Sequence, residues 1–518
     1  MRAARRVAEQ VELAFPPALR LVPDLPKVEP EGLVVVLFCG GAGSSYGIEL
    51  ATGRAPDFAV NHAESAIAMH MANHPATRHF KGDAWHARPF SVTRGRHVSI
   101  LWLSPTCIHF SQAKGGPLRD AKERALAWTA LPWAREAQPD WIFLENVKPF
   151  VTWGRLKPNG KIDPKYKGHT FKTFIGKLRA LGYHVEWRNL RGCDYGAPTT
   201  RDRFFLIANR IGAPIVWPET THGPGKMPYR TAAECIDWTV PGKSIFTRKK
   251  ALKPPTLRRI ARALHVPVLS GEPYIVPSAN DNAVEAGTLI QTSYGERKTQ
   301  APRIFDLREP LTTVVAGGVK HAVITATLVK NFGGNGNGGD GVGMGEPLGT
   351  ITTQDHHSLV TATLVQYNGT SNERDIKEPL GTVTTRDRFG LVQAIVARVD
   401  AEHGVSAKRR KQIRDLLALG DGDPSGIVTI DGEQWVIVDV TFRMLTPREL
   451  ATAMGLPPTF VLDPFFEFVT RKGKKVWRRL NQGEQVKCIG NMVVPQIVDR
   501  LVRANVRARV ATPARRAA

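Results

Sequence analysis

Leu33-Val34-Val35-Val36-Leu37-Phe38-Cys39-Gly40-Gly41-Ala42-Gly43 is the stretch that decides the fold class. Its first six residues are apolar without interruption, and three of them are β-branched valines. A strand with one wet face alternates apolar and polar residues, whereas an unbroken run marks a strand covered on both faces, as in a parallel sheet. The run stops in a glycine-rich turn, where the missing Cβ lets a ligand come close to the backbone. In open α/β sheets, nucleotide-like cofactors sit at such a place, the carboxyl end of an early strand. Outward from this stretch, strands are expected at Val98–Leu103, Trp141–Leu144, Val185–Leu190 and Phe204–Ala208, with another ending at Val60-Asn61. Phe171, Phe174, Ile175, Leu178 and Leu181 share one helical face, with Thr170 as the expected N-cap. Strands alternating with helices predict a doubly wound α/β domain over residues 31–212. A nicotinamide dinucleotide site would want an acidic residue at the end of the second strand; Asn61 stands there instead.

The texture changes after residue 212. Pro, Gly and Thr increase, and β-like segments replace the alternation through about residue 440. Glu309-Pro-Leu-Thr-Thr-Val, Glu346-Pro-Leu-Gly-Thr-Ile and Glu378-Pro-Leu-Gly-Thr-Val recur there, each followed by an apolar segment (Ala322–Leu328, Leu359–Leu364, Leu391–Val396). These read as three related strand–turn–strand units rather than a long solenoid. Gly333–Gly345 reads as a mobile glycine-rich loop. Thr446-Pro447-Arg448-Glu449 is a capping box that starts a helix, and Gly455 is placed to end it. The chain therefore divides into a basic arm (1–30), an α/β part (31–212), a β-rich insert (213–440), a return to the α/β part (441–507) and a basic tail (508–518).

Of the 518 residues, 42% are hydrophobic and 23% charged, the balance of a globular chain. Lys and Arg number 71 against 47 Asp and Glu, a formal charge of +24 that favours polyanionic partners, nucleic acid first. The five cysteines include no CxxC or CxxH pair, which argues against a disulfide framework or a zinc site and fits a reducing cytoplasm. No apolar run approaches membrane-spanning length.

Five elements stand in an order that carries chemistry. They are Phe38-x-Gly40-x-x-Gly43 continuing to Gly47-Ile48-Glu49, Pro105-Thr106-Cys107-x-x-Phe110-Ser111, Glu145-Asn146-Val147, Tyr195-Gly196-Ala197-Pro198-Thr199-Thr200-Arg201-Asp202-Arg203, and Gly490-Asn491-Met492-Val493-Val494-Pro495. Each alone is common. A cysteine after a strand is usually an inert thiol, a strand-end glutamate a solvated cap, and Arg-Asp-Arg a charged turn. In this order and spacing they resemble the motifs of the DNA (cytosine-5) methyltransferases. The resemblance covers about residues 31–212 and 441–500, and Arg443–Phe460 looks like the helix that precedes the last motif. Three positions depart from the family pattern. Asn61 replaces the acid that grips the cofactor ribose, Thr106 replaces the second proline before the cysteine, and Thr199 replaces the glutamine of the Arg-x-Arg motif.

The resemblance implies a Rossmann-like methyltransferase domain, with a second, mostly β target-recognition domain in the insert. It implies S-adenosylmethionine as cofactor, held by Phe38, Gly40, Gly43, Asn61, Asp83, Pro105 and Asn491. It implies double-stranded DNA as substrate and Cys107 as nucleophile, with Glu145, Arg201 and Arg203 completing the catalytic set. A thiolate adds to C6 of cytosine and makes C5 nucleophilic; Glu145 donates toward N3, and Arg201 or Arg203 stabilises O2. The target base must be flipped out, at a cost of about a few kcal/mol. Lys249, Lys250, Arg409, Arg410, Lys474 and Lys475 are candidates to hold the DNA backbone. The implied setting is a monomer in a bacterial cytoplasm that protects DNA beside a separate cognate restriction endonuclease or acts alone. An RNA cytosine-5 methyltransferase and a catalytically idle DNA-binding relative are the competing readings.

Overall fold

The structure is a computed structural model. It describes residues 26–106, 125–159, 162–240, 242–264, 274–276, 285–286, 289–291, 304–305, 321–322, 359–365, 390–398, 406–420, 424–425, 427–430, 433–470 and 473–506. Cys107, most of the arm and tail, the three Glu-Pro-Leu segments and Gly333–Gly345 lie outside the described residues. The chain forms two compact units, one of residues 21–228 and 454–518, the other of residues 1–20 and 229–453.

The first unit is built on a seven-stranded sheet ordered β3-β2-β1-β4-β5-β7-β6. Its strands are β1 (Leu33–Leu37), β2 (Phe58–Asn61), β3 (Arg78–Lys81), β4 (Val98–Leu103), β5 (Trp141–Asn146), β6 (His184–Arg191) and β7 (Asp202–Asn209). Every residue of β1, β4 and β5 is buried, as their unbroken apolar runs require. The pairings β3–β2, β2–β1, β1–β4 and β4–β5 are parallel. β7 is antiparallel to both β5 and β6, because the loop of residues 192–201, with a single 3-10 turn, rather than a crossover helix joins β6 to β7. This mostly parallel arrangement matches a Rossmann-like methyltransferase sheet.

Helix α1 (Gly43–Thr52) follows β1, and α2 (Glu64–Asn73) follows β2. The helix His169–Ala180 buries Phe171, Phe174, Ile175 and Leu178 as expected, but Thr170 lies inside it. Its N-cap is Gly168, at φ 77°, a left-handed geometry that threonine resists. The chain's last described helix, Pro495–Asn505, lies against α1. A Cβ on Gly47 would stand 2.5 Å from Val498 Cβ and 2.6 Å from the Pro495 carbonyl; one on Gly43 would stand 2.3 Å from the Val493 carbonyl. Two glycines one helical turn apart thus let the late Gly490–Pro495 motif lie directly on α1.

The second unit is built, among its described residues, on a ten-stranded sheet whose pairings are all antiparallel, with the helices Pro254–Leu264, Ala407–Leu417 and Pro447–Ala453 beside it in sequence. Of the apolar segments that follow the three repeats, the first, Ala322–Leu328, has only Ala322 among the described residues, in the strand His321–Ala322; the second and third contribute the strands Leu359–Val365 and Gly390–Arg398. The last two pair along their whole shared length, Leu359 with Val396 through Val365 with Gly390. The units change over at 228/229 and 453/454, later in sequence than the expected 212/213 and 440/441. Residues 213–228 stay with the first unit because Asn505 brackets Val216, accepting its N–H at 2.9 Å and donating to its carbonyl at 2.8 Å. Residues 441–453 stay with the second because the strand Glu433–Met444 runs on into them. Glu449 then pins the next helix, Pro447–Ala453, accepting twice from Arg443 and once from the Asp237 N–H. The expected capping box is present in that helix: Glu449 N–H donates to Thr446 Oγ1 and Thr446 N–H to Glu449 Oε2.

Candidate active site

The site lies in the first unit, where β5 ends and β7 begins. Register sets Glu145 of β5 opposite Phe205 of β7. Alternate residues of a strand share a face, so Arg203, two residues before Phe205, comes to the same side as Glu145. Its Nε lies 3.4 Å from Glu145 Oε1, and each side chain is only 9% exposed. Burial disfavours the charged form and pushes the Glu145 carboxyl above its ordinary range; Arg203 and Arg201 pull it back by less than burial raises it. Arg203 Nη1 donates to the Asp202 carbonyl at 2.8 Å. Arg203 Nε and Thr200 Oγ1 are buried without a hydrogen-bond partner among the described residues. Leaving such atoms unpaired costs about 1–3 kcal/mol each, a cost that a substrate oxygen placed there would remove.

A tether brings the end of β4 to this pair. Asn146 Nδ2 donates to the Pro105 carbonyl at 3.1 Å, and its Oδ1 accepts from the Val147 N–H at 2.9 Å. Pro105, two residues before Cys107, is thereby fixed to Asn146, the residue after Glu145. The other four cysteines are poor nucleophiles. Burial pushes the thiols of Cys39, Cys193 and Cys235 far up and that of Cys488 up to about 12, so none holds a reactive thiolate at neutral pH.

The turn after β1 forms the other part of the site. Phe38, Gly40 and Ala42 are left-handed, at φ 61°, 53° and 79°. For Phe38 and Ala42 that conformation costs on the order of 1–3 kcal/mol each. Gly40 has an open side: a Cβ there would meet nothing nearer than the Asn491 carbonyl at 3.6 Å. Asn491 is the C-cap of the helix Gln482–Gly490. Gly43, by contrast, is closed off by Val493, so its missing Cβ serves packing. The carboxyl ends of β1, β2 and β3 are laced together by Cys39 N–H to the Val60 carbonyl and Gly82 N–H to the Asn61 carbonyl, both 3.0 Å. Phe38, Asn61 and Asp83 thus follow one edge. Asn61 Oδ1 accepts from the Ala63 N–H at 2.9 Å, and Asp83 Oδ1 accepts from the Trp85 N–H at 3.0 Å.

The basic candidates fare unequally. Lys249, Lys250 and Lys474 are exposed. Lys475 is exposed and paired with Glu467 at 2.8 Å. Arg410 is half-buried. Arg409 is not a free cation: it is ion-paired with Asp439, donates to Ser244 Oγ at 3.2 Å and lies 4.8 Å from the centre of the Phe246 ring.

Residues 34–254 match the family of C-5 cytosine-specific DNA methylases. The type II methyltransferase M.AquIA of Picosynechococcus sp. is 30% identical over 234 residues, which are 41% of this chain and 90% of that protein. The chain belongs to the C-5 cytosine-specific DNA methylases. The type II methylase M.HgiDII of Herpetosiphon aurantiacus is 29% identical over 215 residues, and the type II methyltransferase M.NaeI of Lentzea aerocolonigenes 31% over 196. These matches cover 40% and 37% of this methylase but only 54% and 44% of those two proteins. Two features of the methylase site are not singled out by sequence. The Asn146 tether depends on β4 and β5 being neighbours, and the unpartnered Thr200 hydroxyl depends on the fold of the loop before β7.

Proposed function

We propose that this protein methylates C5 of cytosine in double-stranded DNA through a covalent adduct of Cys107. The observation that carries the reading is the buried Glu145–Arg203 pair, with the adjoining Asn146 hydrogen-bonded to the Pro105 carbonyl. Cys107 Sγ adds to C6 of the flipped cytosine, forming a C–S bond and moving electron density toward N3 and O2. Glu145, whose carboxyl burial keeps protonated more readily than an ordinary one, gives its proton toward N3. Arg203 Nε and Thr200 Oγ1 donate to O2, which satisfies both. Asn146 holds the chain before Cys107 in place. A water then takes the C5 proton as the C6–Sγ bond breaks, N3 returns its proton to Glu145, and Cys107 leaves as the thiolate.

S-adenosylmethionine fits the turn after β1, where the left-handed Phe38 and the open side of Gly40 make a cradle that a Cβ would partly fill. Phe38, Gly40, Asn61, Asp83, Pro105 and Asn491 would hold it, and it supplies an electrophilic methyl group to C5. The β unit of residues 229–453 occupies the place of a target-recognition domain, with Lys249 and Lys250 on the DNA backbone. The enzyme acts as a monomer and protects DNA from a cognate restriction endonuclease.

The test is a duplex whose target cytosine carries fluorine at C5. Fluorine cannot leave as a cation, so after methyl transfer the adduct persists. Mass spectrometry should find the nucleotide on the peptide containing Cys107, and only with cofactor present. A methylated product without any adduct, or an adduct on another residue, would overturn the mechanism. Methyl transfer to RNA and not to DNA would overturn the substrate.

A further inference from the structure

A β-hairpin between the capping-box helix and the last motif carries Lys474 and Lys475 but none of the catalytic or cofactor residues described above. Its strands are Phe465–Val469 and Lys475–Arg479, paired Phe465 with Arg479, Glu467 with Trp477 and Val469 with Lys475. Those six side chains share one face. It is an unusual face for a solvent-exposed hairpin: Phe465 is 61% and Trp477 59% exposed, their rings 5.6 Å apart. Two cations, Lys475 and Arg479, flank the rings, and Lys474 is exposed at the turn. From Asp463 to Arg479 the sequence has six Lys or Arg against two acids. The partners of Lys475 and Arg479 are Glu467 and Asp463, in surface ion pairs that contribute little and exchange readily.

A two-stranded hairpin is marginal by itself, and this one is anchored from behind. Arg478 makes two 2.7 Å hydrogen bonds to Glu484 and lies 4.1 Å from the centre of the Phe468 ring. The Val469 N–H reaches Glu64 at the start of α2. The outer face is therefore presented on a fixed base at the end of β2, on the carboxyl edge of the sheet that also carries Glu145.

We propose that the outer face of this hairpin is a second DNA-contact surface, which grips the sugar-phosphate backbone of the duplex flanking the target. The proposal rests on the reading of this protein as a DNA methylase. Lys474, Lys475 and Arg479 meet phosphates, and Phe465 and Trp477 lie against deoxyribose faces. Such contacts position the duplex and carry no sequence information. The observations that favour DNA are charge complementarity with a polyanion and the pairing of exposed rings with cations, the combination that a nucleic-acid backbone satisfies.

The experiment measures binding of a fluorescent duplex by anisotropy across a salt series, on the full chain with cofactor. Turnover is followed separately, so a wild type that binds DNA but does not methylate it would count against the catalytic reading and not against this one. The triple variant K474A/K475A/R479A should reduce the slope of log K against log salt by about 0.9 for each cation removed. Its counterpart K167A/K172A/K177A, which removes equal charge from elsewhere on the first unit, should leave the slope as it was. F465A/W477A should weaken binding about tenfold on target and non-target duplexes alike, and Trp477→Phe should retain most of the affinity. Binding unchanged in both hairpin variants, or a slope lowered equally by both lysine triples, would overturn the proposal. So would a wild-type dimer that F465A/W477A converts to monomer with DNA affinity intact, which would assign the face to a second copy of the chain.

Discussion

Replacing Gly47 by alanine should destabilise this protein, although alanine is the better helix former. The new methyl would stand 2.5 Å from Val498 Cβ, 2.6 Å from the Pro495 carbonyl and 3.0 Å from Val498 Cγ1. Two of those three atoms are backbone or directly attached to it, so relief requires the helix Pro495–Asn505 to move off α1. Overpacking of this kind costs about 1–3 kcal/mol, and contacts this short belong at the upper end, about 3. Alanine returns about 1 kcal/mol of helix propensity, leaving a loss of about 2. The control is Gly176→Ala in the middle of the helix His169–Ala180, where a Cβ would meet nothing within 4 Å. That change should stabilise by about 1 kcal/mol. Thermal melts of both variants beside wild type test the pair: G47A should melt several degrees lower, at about 2–4 °C per kcal/mol, and G176A slightly higher. If G47A melts at or above wild type, the claim that the late motif lies directly on α1 is wrong.

Three further outcomes follow from the site and its surroundings. Glu145→Gln should lower the rate of methyl transfer by about 10²–10⁴ with DNA affinity kept. In wild type the rate should fall as pH rises through the burial-raised range of the Glu145 carboxyl, because the protonated form is the donor; single-turnover rates against pH should show that limb in wild type and lose it in E145Q. Asn146→Ala frees the Pro105 carbonyl and the Val147 N–H, so kcat should drop about a hundredfold while cofactor affinity measured by calorimetry stays within about twofold, and an unchanged kcat would refute the tether. His70 is fully buried, 2.7 Å from both His79 Nε2 and Ser45 Oγ, with the His74 ring tilted against it at 4.8 Å and Glu49 2.9 Å from His74. Burial holds the His70 and His79 rings below the ordinary histidine range. The unfolded chain therefore binds protons that the folded one refuses, and stability, complete above about pH 6.5, should decline as pH falls below it. Melting midpoints from pH 8 to 5 should show this decline, and a flat profile would contradict it.

The fold was legible where burial left one answer. β1, β4 and β5 are central and covered on both faces, so their composition alone reveals them. β3, Arg78-His-Phe-Lys, is an edge strand with no fully buried residue, and nothing in its pattern separates it from a loop. Thr170 made a plausible cap because threonine suits the role, but the chain enters that helix through a left-handed glycine at 168. The site residues were legible as motifs. Their juxtaposition was not, because Arg203 meets Glu145 only through the antiparallel register of β5 and β7. Arg409 looked like part of a basic cluster, and its half-buried partner Asp439 is distant in sequence. Gly43 and Gly47 read as cofactor-loop residues; Gly43 serves the backbone of Val493 and Gly47 that of Pro495.

Cytosine-5 methylation of DNA through Cys107 is tested most directly by bisulfite sequencing of plasmid DNA from cells expressing this protein or its Cys107→Ser variant. Protected cytosines in one short sequence context are expected with the wild type, and complete conversion with the variant. Complete conversion with both, from soluble protein that binds cofactor, would contradict it.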